Sequence, residues 1–315
     1  MGFEEGLLAE CARAHLPDVA QCGDIGFTPI TTGRFNTSYF VSVPGAEYVL
    51  RIAPPDDSVF LFYERGMMKQ EPAIHDVLLR NTKVPVARIL AFDTAREVLP
   101  RDYLLMERLP GKALSDSAGV DTQKVLREVG AALAQVHAQT AVQYGYLGEH
   151  APMPPQSTWQ DAFAVMWRKL LDDIVGVGEY SAEERDYLLG LLDTHAGCFQ
   201  HNPPAALLHM DVWSQNILAD GAGRFSGLVD WDRALWGDPE IEFAVLDYCG
   251  VSQPAFWEGY GSQRNESPEA QVRHAFYLLY ELQKYIVIRK GRNGDSMAAR
   301  AYKRQAWQMI SHVFG

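Results

Sequence analysis

The sequence predicts an α+β fold of two unequal lobes: a small N-terminal β-sheet lobe with one helix, then a larger, mainly helical C-terminal lobe. Three observations predict it. A β-rich hairpin lies within the first 52 residues, a Leu109-Pro110-Gly111 break follows, and long stretches beyond the break read as helices. At 315 residues the chain is long for one core, and its apolar content of 47% against 22% charged is that of a globular protein.

The elements follow in order. The first 25 or so residues carry helix-like apolar positions (Leu7, Leu8, Cys11) interrupted by Pro17. Tyr39–Val43 and Tyr48–Ile52 flank the turn residues Pro44-Gly45-Ala46-Glu47, which reads as a hairpin. Pro54-Pro55 ends it, and Glu64–Leu79 reads as a helix in spite of Pro72. Ala87–Phe92 and Tyr103–Met106 are further strand candidates. Residues 1–106 therefore form the expected first lobe, 107–111 the hinge, and 112–315 the second lobe. In the latter, helices are expected at 121–139, 157–175, 182–199, 240–249, 268–290 and 297–313, with a β-rich stretch from Leu207 to Val229.

Charge and cysteines narrow the function classes. A net charge of −12 repels polyanions and disfavours nucleic acid as a partner, while tolerating cationic ligands. No apolar run reaches the roughly 20 residues that span a bilayer, so no membrane partner is expected. Met1–Glu10 carries three Glu and neither Lys nor Arg, unlike a secretory signal. Cys11, Cys22, Cys198 and Cys249 are scattered without a CxxC pair, as free thiols in a reducing cytoplasm would be.

One segment carries chemistry. His209-Met210-Asp211 is followed at the fifth residue after Asp211 by Asn216, and the apolar strand Gly227-Leu228-Val229 delivers Asp230, with Trp231 and Asp232 next. Carboxylate and amide oxygens are the hard donors Mg²⁺ prefers. Asp211 and Asn216 have the spacing of base and metal ligand in kinase catalytic loops.

This region resembles the aminoglycoside phosphotransferase and choline kinase family, the small-molecule branch of the protein-kinase-like bilobal fold. The shared parts are H-x-D-x-x-x-x-N at His209–Asn216, Val229-Asp230-Trp231-Asp232, and Gly237-Asp238-Pro239. The resemblance implies a kinase that moves the γ-phosphate of ATP or GTP to a hydroxyl of a small molecule. Asp211 would be the catalytic base, and Asn216 and Asp230 the Mg²⁺ ligands. His209 would brace the loop, and Asp238 would anchor the next helix as an N-cap before Pro239. Leu133-Ala134-Gln135-Val136-His137 matches a family helix, with His137 a packed structural histidine.

The resemblance extends more loosely into the first lobe. Thr31–Tyr39 stands at the nucleotide loop, with Gly33 and Asn36 as its matching residues. Arg51 replaces the family's strand Lys; it keeps the charge but is longer and planar. Its acidic partner would be Glu71, with Glu64 second. The backbone of Met106, Glu107 and Arg108 would meet the nucleobase.

On the acceptor side, Trp213, Asp232 and Trp236 are the candidates nearest the motif. The wider pool is Trp159, Asp161, Trp167, Glu240, Asp247, Trp257, Tyr260, Tyr277 and Glu281. Aromatics mixed with carboxylates suit a hydroxylated or cationic ligand. An aminoglycoside-like or other antibiotic is the preferred acceptor, in resistance or biosynthesis. A sugar or an amino alcohol is the alternative, and a non-catalytic nucleotide-binding module of the same fold is a second. The expected cofactors are ATP or GTP with Mg²⁺, in a monomer or homodimer of the cytoplasm. No Ala-Pro-Glu motif follows Asp230, which argues against a protein kinase.

Overall fold

The computed structural model describes residues 2–16, 24–33 and 35–315; Pro17, Cys22 and Arg34 lie outside the described residues. An antiparallel five-stranded sheet occupies the N-terminal region in the order β1-β2-β3-β5-β4. Its strands are β1 (Gly26–Ile30), β2 (Thr37–Val43), β3 (Ala46–Ile52), β4 (Ile89–Asp93) and β5 (Tyr103–Glu107). The expected hairpin is β2–β3, with Tyr39 opposite Leu50 and Ser38 opposite Arg51. The strand β1 had no expectation in the sequence; Pro29 within it is tolerated because β1 is the sheet edge.

Strand alternation assigns the two faces of the sheet. Leu50 and Ile52 of β3 are buried with Tyr39, Val41 and Leu105 under helix α1 (Glu5–His15), which contributes Leu8, Cys11 and Ala12. Val49 lies on the opposite face with Met68, Ala87, Leu104 and Met106. Arg51, two residues on, shares that second face, which looks toward the rest of the chain.

Helix α2 is Glu71–Asn81 and starts later than its expected beginning at Glu64. Pro72 sits in its first turn, where a missing N–H costs nothing, so the proline starts the helix rather than interrupting it. Before it, Leu61, Tyr63 and Met67 are buried in the large core of the helical region. Ile74 and Leu78 of α2 join a second core there, with Val125, Leu133, Ile217 and Trp231. The segment from Leu61 to Val86 is thus packed largely into the helical region, although it lies between strands of the sheet.

Beyond Glu107 come β6 (Lys112–Ala113), α3 (Thr122–His137), β7 (Thr140–Ala141), α4 (Trp159–Gly176), α5 (Ala182–Thr194), β8 (Ala205–Leu208), β9 (Ile217–Ala219), β10 (Phe225–Leu228) and β11 (Leu235–Gly237). The helices α6 (Pro239–Tyr248), α7 (Pro254–Tyr260), α8 (Pro268–Val287) and α9 (Ser296–Phe314) complete the chain, with a π-helical turn at Ile288–Arg292 after α8. Six of these helices match the expected spans to within a few residues; α7 is additional. Two small sheets, β10-β9-β6 and β11-β8-β7, lie in the helical region. Gly111 ends the connection between the lobes at φ 101°, and a Cβ there would lie 2.3 Å from the Ala219 carbonyl oxygen, so only glycine fits.

The burial of Leu61 makes the packing across the lobes measurable. Leu61→Ala is expected to cost about 2–5 kcal/mol in urea unfolding, the range for a truncated core leucine. A loss below about 1 kcal/mol would mean that the segment is an independent flap.

Candidate active site

The loop between β8 and β9 carries the motif residues, and its shape is held by a buried acid on α6. Glu242 accepts the backbone N–H of His209 at 3.0 Å and of Met210 at 2.6 Å. It also accepts from His137 Nε2 at 2.8 Å, while His137 Nδ1 bonds the Tyr260 hydroxyl at 2.8 Å. His137 is therefore a packed structural histidine, as expected. Burial opposes ionisation of Glu242, but the His137 bond and charge outweigh it and hold the carboxyl below its ordinary value of 4.5.

Met210 adopts φ 66°, unusual for a residue with a Cβ, and this turn presents Asp211. His209 is fully buried against Trp231, with ring centroids 4.3 Å apart. Its Nε2 donates to the Val229 carbonyl at 3.1 Å and its Nδ1 accepts the Asp211 N–H at 3.2 Å. One neutral tautomer satisfies both bonds, and burial lowers the His209 pKa accordingly. His209 thus braces the loop against the β10 end.

Asn216 Nδ2 donates to Asp211 twice, to the backbone oxygen at 2.9 Å and to Oδ2 at 3.0 Å. With its nitrogen committed, Asn216 has its amide oxygen left as a hard donor. The Asn216 carbonyl accepts the Val229 N–H at 3.0 Å, which stitches the loop to the strand before Asp230. Asp230 sits at φ 71°, a second left-handed residue, and its side chain is 38% exposed. Two such backbone positions beside the key carboxylates concentrate strain where the chemistry is expected.

Arg51 reaches across from β3. It bonds Glu71 at 2.6 Å, Asp232 at 3.1 Å and Asp230 at shorter range. Glu71 is therefore its partner on α2. Glu64, the second choice, instead accepts the Leu61 N–H at 2.7 Å and pairs with Arg292. Three carboxylates share one buried cation. Burial first, and repulsion from Asp230 next, push the carboxyls of Glu71 and Asp232 above their ordinary range. This surplus of negative charge, with the exposed Asp230 oxygens and the Asn216 amide oxygen, fits a hard divalent cation such as Mg²⁺.

The remaining candidates are placed as follows. Asp232 is not on the acceptor side: it is buried in the Arg51 cluster, where Asn36 Nδ2 donates to it at 3.1 Å and Gln70 to its carbonyl. Asn36 thereby links the segment just before β2 to the site. A Cβ at Gly33 would meet the Asn36 carbonyl oxygen at 3.8 Å, an ordinary contact, so this loop does not require glycine for steric reasons. At the hinge, the Glu107 N–H bonds the Arg88 carbonyl at 2.9 Å and the Arg108 N–H the Glu47 carbonyl at 3.3 Å. These two amides are spent within the lobe and are not free to donate to a nucleobase. Met106 is buried under the sheet. Asp238 caps α6 through the Glu240 N–H at 3.0 Å, as its position before Pro239 implied. Trp213 lies two residues beyond Asp211 and is 38% exposed. Trp236 is half-buried between the two helical-region cores. Trp159, Trp167 and Tyr277 are core residues, and Asp161 bonds its helix cap Thr158.

Two functional side chains escaped the sequence reading. Glu242 is one. The other is Arg233, which donates to Asp211 Oδ1 at 2.7 Å and pairs with Glu281 at 3.3 Å. Burial alone would raise the Asp211 carboxyl, but Arg233 and then Lys284 outweigh it and hold it below its ordinary value of 3.8. The only sequence signal for Glu242 was an acid among the apolar positions Ile241, Ala244, Val245 and Leu246 that α6 buries.

Residues 26–276 match the phosphotransferase enzyme family. A probable ketoamine kinase of Lactiplantibacillus plantarum is 27% identical over 283 residues, 86% of this chain and 89% of that protein. The hygromycin-B 4-O-kinase of Escherichia coli is 25% identical over 73% of this chain and 65% of that one. Among solved structures, a putative fructosamine-3-kinase from Haemophilus somnus superposes with a TM-score of 0.68 at 17% identity, covering 93% and 92% of the two chains. A thermostable mutant of aminoglycoside phosphotransferase APH(4)-Ia gives 0.66 at 18%, covering 99% and 100%. Both establish the expected bilobal kinase-like fold.

The Glu242 clamp makes a prediction with a defined pH sign. Its folded-state pKa is lowered, so its stabilisation is complete above pH 4.5 and fades as pH falls through the lowered value. Glu242→Gln should cost about 1.5–3 kcal/mol at pH 7 in urea unfolding. The gap from wild type should narrow below pH 4.5. A gap that widened in acid would contradict the clamp.

Proposed function

The chain belongs to the phosphotransferase enzyme family, and from that premise we propose that it transfers the γ-phosphate of ATP or GTP to a hydroxyl of a small hydroxylated amine. It is an enzyme acting on a small molecule. The observation that carries the reading is the joint placement of Asp211, Asn216 and Asp230, with Asn216 bonded to Asp211 and Asp230 delivered by the stitched strand.

Asn216 and Asp230 would hold Mg²⁺, which when bound neutralises charge on the transferring phosphate. Arg51, retaining Glu71, would turn from Asp230 toward the phosphates. The acceptor hydroxyl would donate to Asp211. As the acceptor oxygen bonds to phosphorus, the bond from phosphorus to the bridging β,γ-oxygen breaks and the nucleoside diphosphate leaves. The hydroxyl proton passes to the Asp211 carboxylate. A low pKa makes Asp211 a weak base, which suits a loose transition state in which the proton moves late. The main work of Asp211 is then orientation, and Arg233 supplies the rigidity.

For the acceptor, the likeness to a probable ketoamine kinase over 86% of this chain favours a ketoamine-type amine polyol. The likeness to hygromycin-B 4-O-kinase supports a second reading, an antibiotic acceptor. A coupled assay of nucleoside diphosphate release over ketoamines, sugars, amino alcohols and aminoglycosides, with both nucleotides, separates them.

Asp211→Ala is expected to lower kcat by about 10²–10⁴-fold, the usual share of a positioned base, while Mg²⁺-nucleotide still binds. Asp230→Ala should weaken Mg²⁺-nucleotide binding. Wild-type transfer by Asp211→Ala would refute the assignment.

A further inference from the structure

The face of the helical region beside Asp211 has an electrostatic character that bears on the acceptor. Tyr285 of α8 stacks on Tyr248 of α6 at 5.5 Å and on Tyr302 of α9 at 5.1 Å, forming an aromatic wall from three helices. Tyr248 is 36% exposed. A continuous chain of contacts ties the wall to the catalytic carboxylate. Asp211 bonds Arg233, Arg233 pairs with Glu281, Glu281 pairs with Lys284, and Lys284 Nζ lies 4.9 Å over the Tyr285 ring. Cys249, next to Tyr248, sits among the same charges, and burial pushes its thiol up to about 12, so it contributes no nucleophile there.

The acids of the wall helices are already matched. On α6, Glu240 pairs with Arg273 at 2.7 Å, Glu242 with His137 at 2.8 Å, and Asp247 with Arg264 at 2.6 Å. On α8, Glu281 is shared by two cations, and the other acid, Glu269, lies in the first turn, at the far end from Tyr285. The helix α9 has no acidic residue at all; its Lys303 is spent on Glu184 at 2.7 Å, and Arg300 and Arg304 line a separate groove with Glu179 and Trp307. One turn past Tyr285 stands Arg289, whose buried Nε has no hydrogen-bond partner among the described residues. A site for a polycation needs uncompensated carboxylates, because each ammonium loses its water on binding. Here the paired acids cannot supply them, and the unpartnered group one turn past Tyr285 is the Arg289 guanidinium.

Resting on the kinase reading above, we propose that the acceptor is a polyol carrying at most one amine and one carboxylate. Its ring or chain lies on the Tyr248–Tyr285–Tyr302 wall, and its carboxylate is received by Arg289. Aromatic rings take the C–H face of a polyol and the edge of a single ammonium group. A guanidinium grips a carboxylate bidentately. The same arrangement disfavours polyamine aminoglycosides, because the acids of α6 and the Glu281 of α8 are already paired and Arg289 adds a positive charge.

The test uses the full-length enzyme with Mg²⁺ and ATP or GTP. The probes are the glucose–glycine ketoamine, the glucose–ethanolamine ketoamine and a polyamine aminoglycoside. The glycine adduct is expected to have the highest kcat/KM and the aminoglycoside the lowest. Arg289→Gln should lower the glycine-to-ethanolamine ratio of kcat/KM by about tenfold or more, the loss of one charge-assisted bond. Arg289→Lys should restore part of that ratio. Tyr285→Leu should raise KM for both ketoamines. An aminoglycoside turned over as well as the glycine adduct, or a ratio unmoved by Arg289→Gln, overturns the proposal. Binding of Mg²⁺-nucleotide without turnover of any probe also overturns it, whereas failure to bind Mg²⁺-nucleotide overturns the kinase reading itself.

Discussion

The site depends on one buried cation. Arg51 bonds acids from α2 and from the strand end after β10, and so ties three separate parts of the chain together. Removing Arg51 would leave the buried carboxylates of Glu71 and Asp232 beside Asp230 with no cation between them, which is costly in ionised form. A buried ion cluster adds little to net stability, because desolvation consumes most of the Coulombic gain. Its value here is position: it sets the sheet face, Glu71 and Asp230 at fixed separation.

The same constraint explains how the lobes are joined. The segment before α2 buries Leu61, Tyr63 and Met67 in the helical region, and α2 buries Ile74 and Leu78 there as well. Glu71 is consequently mounted on the helical side and Arg51 on the sheet side. Rotation of the sheet about the connection at Gly111 would pull on the Arg51–Glu71 bond. Behind them, Glu242 and His209 hold the Asp211 loop through bonds made within the helical region.

Local chemistry made much of this legible in the sequence. Asp211, Asn216 and Asp230 declare themselves by spacing, Asp238 by the proline after it, and the helices by periodicity. Residues whose roles depend on long-range partners were not legible. Arg233 reads as one more charge between an aspartate and an apolar strand, and its hold on Asp211 exists only after the chain folds. Glu242 makes its bonds to residues over thirty positions away. Asp232 stood among the acceptor-side candidates by its nearness to the motif, and the partners it bonds, Arg51 and Asn36, come from far along the chain. The aromatic wall was missed because Tyr248, Tyr285 and Tyr302 come from three helices and share no motif.

The most direct measurement compares phosphate transfer by Arg51→Lys and Arg51→Met under saturating Mg²⁺-nucleotide. If a single cation organises the site, the lysine protein keeps measurable transfer, since it preserves charge and loses only the fork. The methionine protein then loses about two orders of magnitude or more, the scale of removing one preorganised charge from a reacting centre. Transfer by the methionine protein at the wild-type rate would contradict the account.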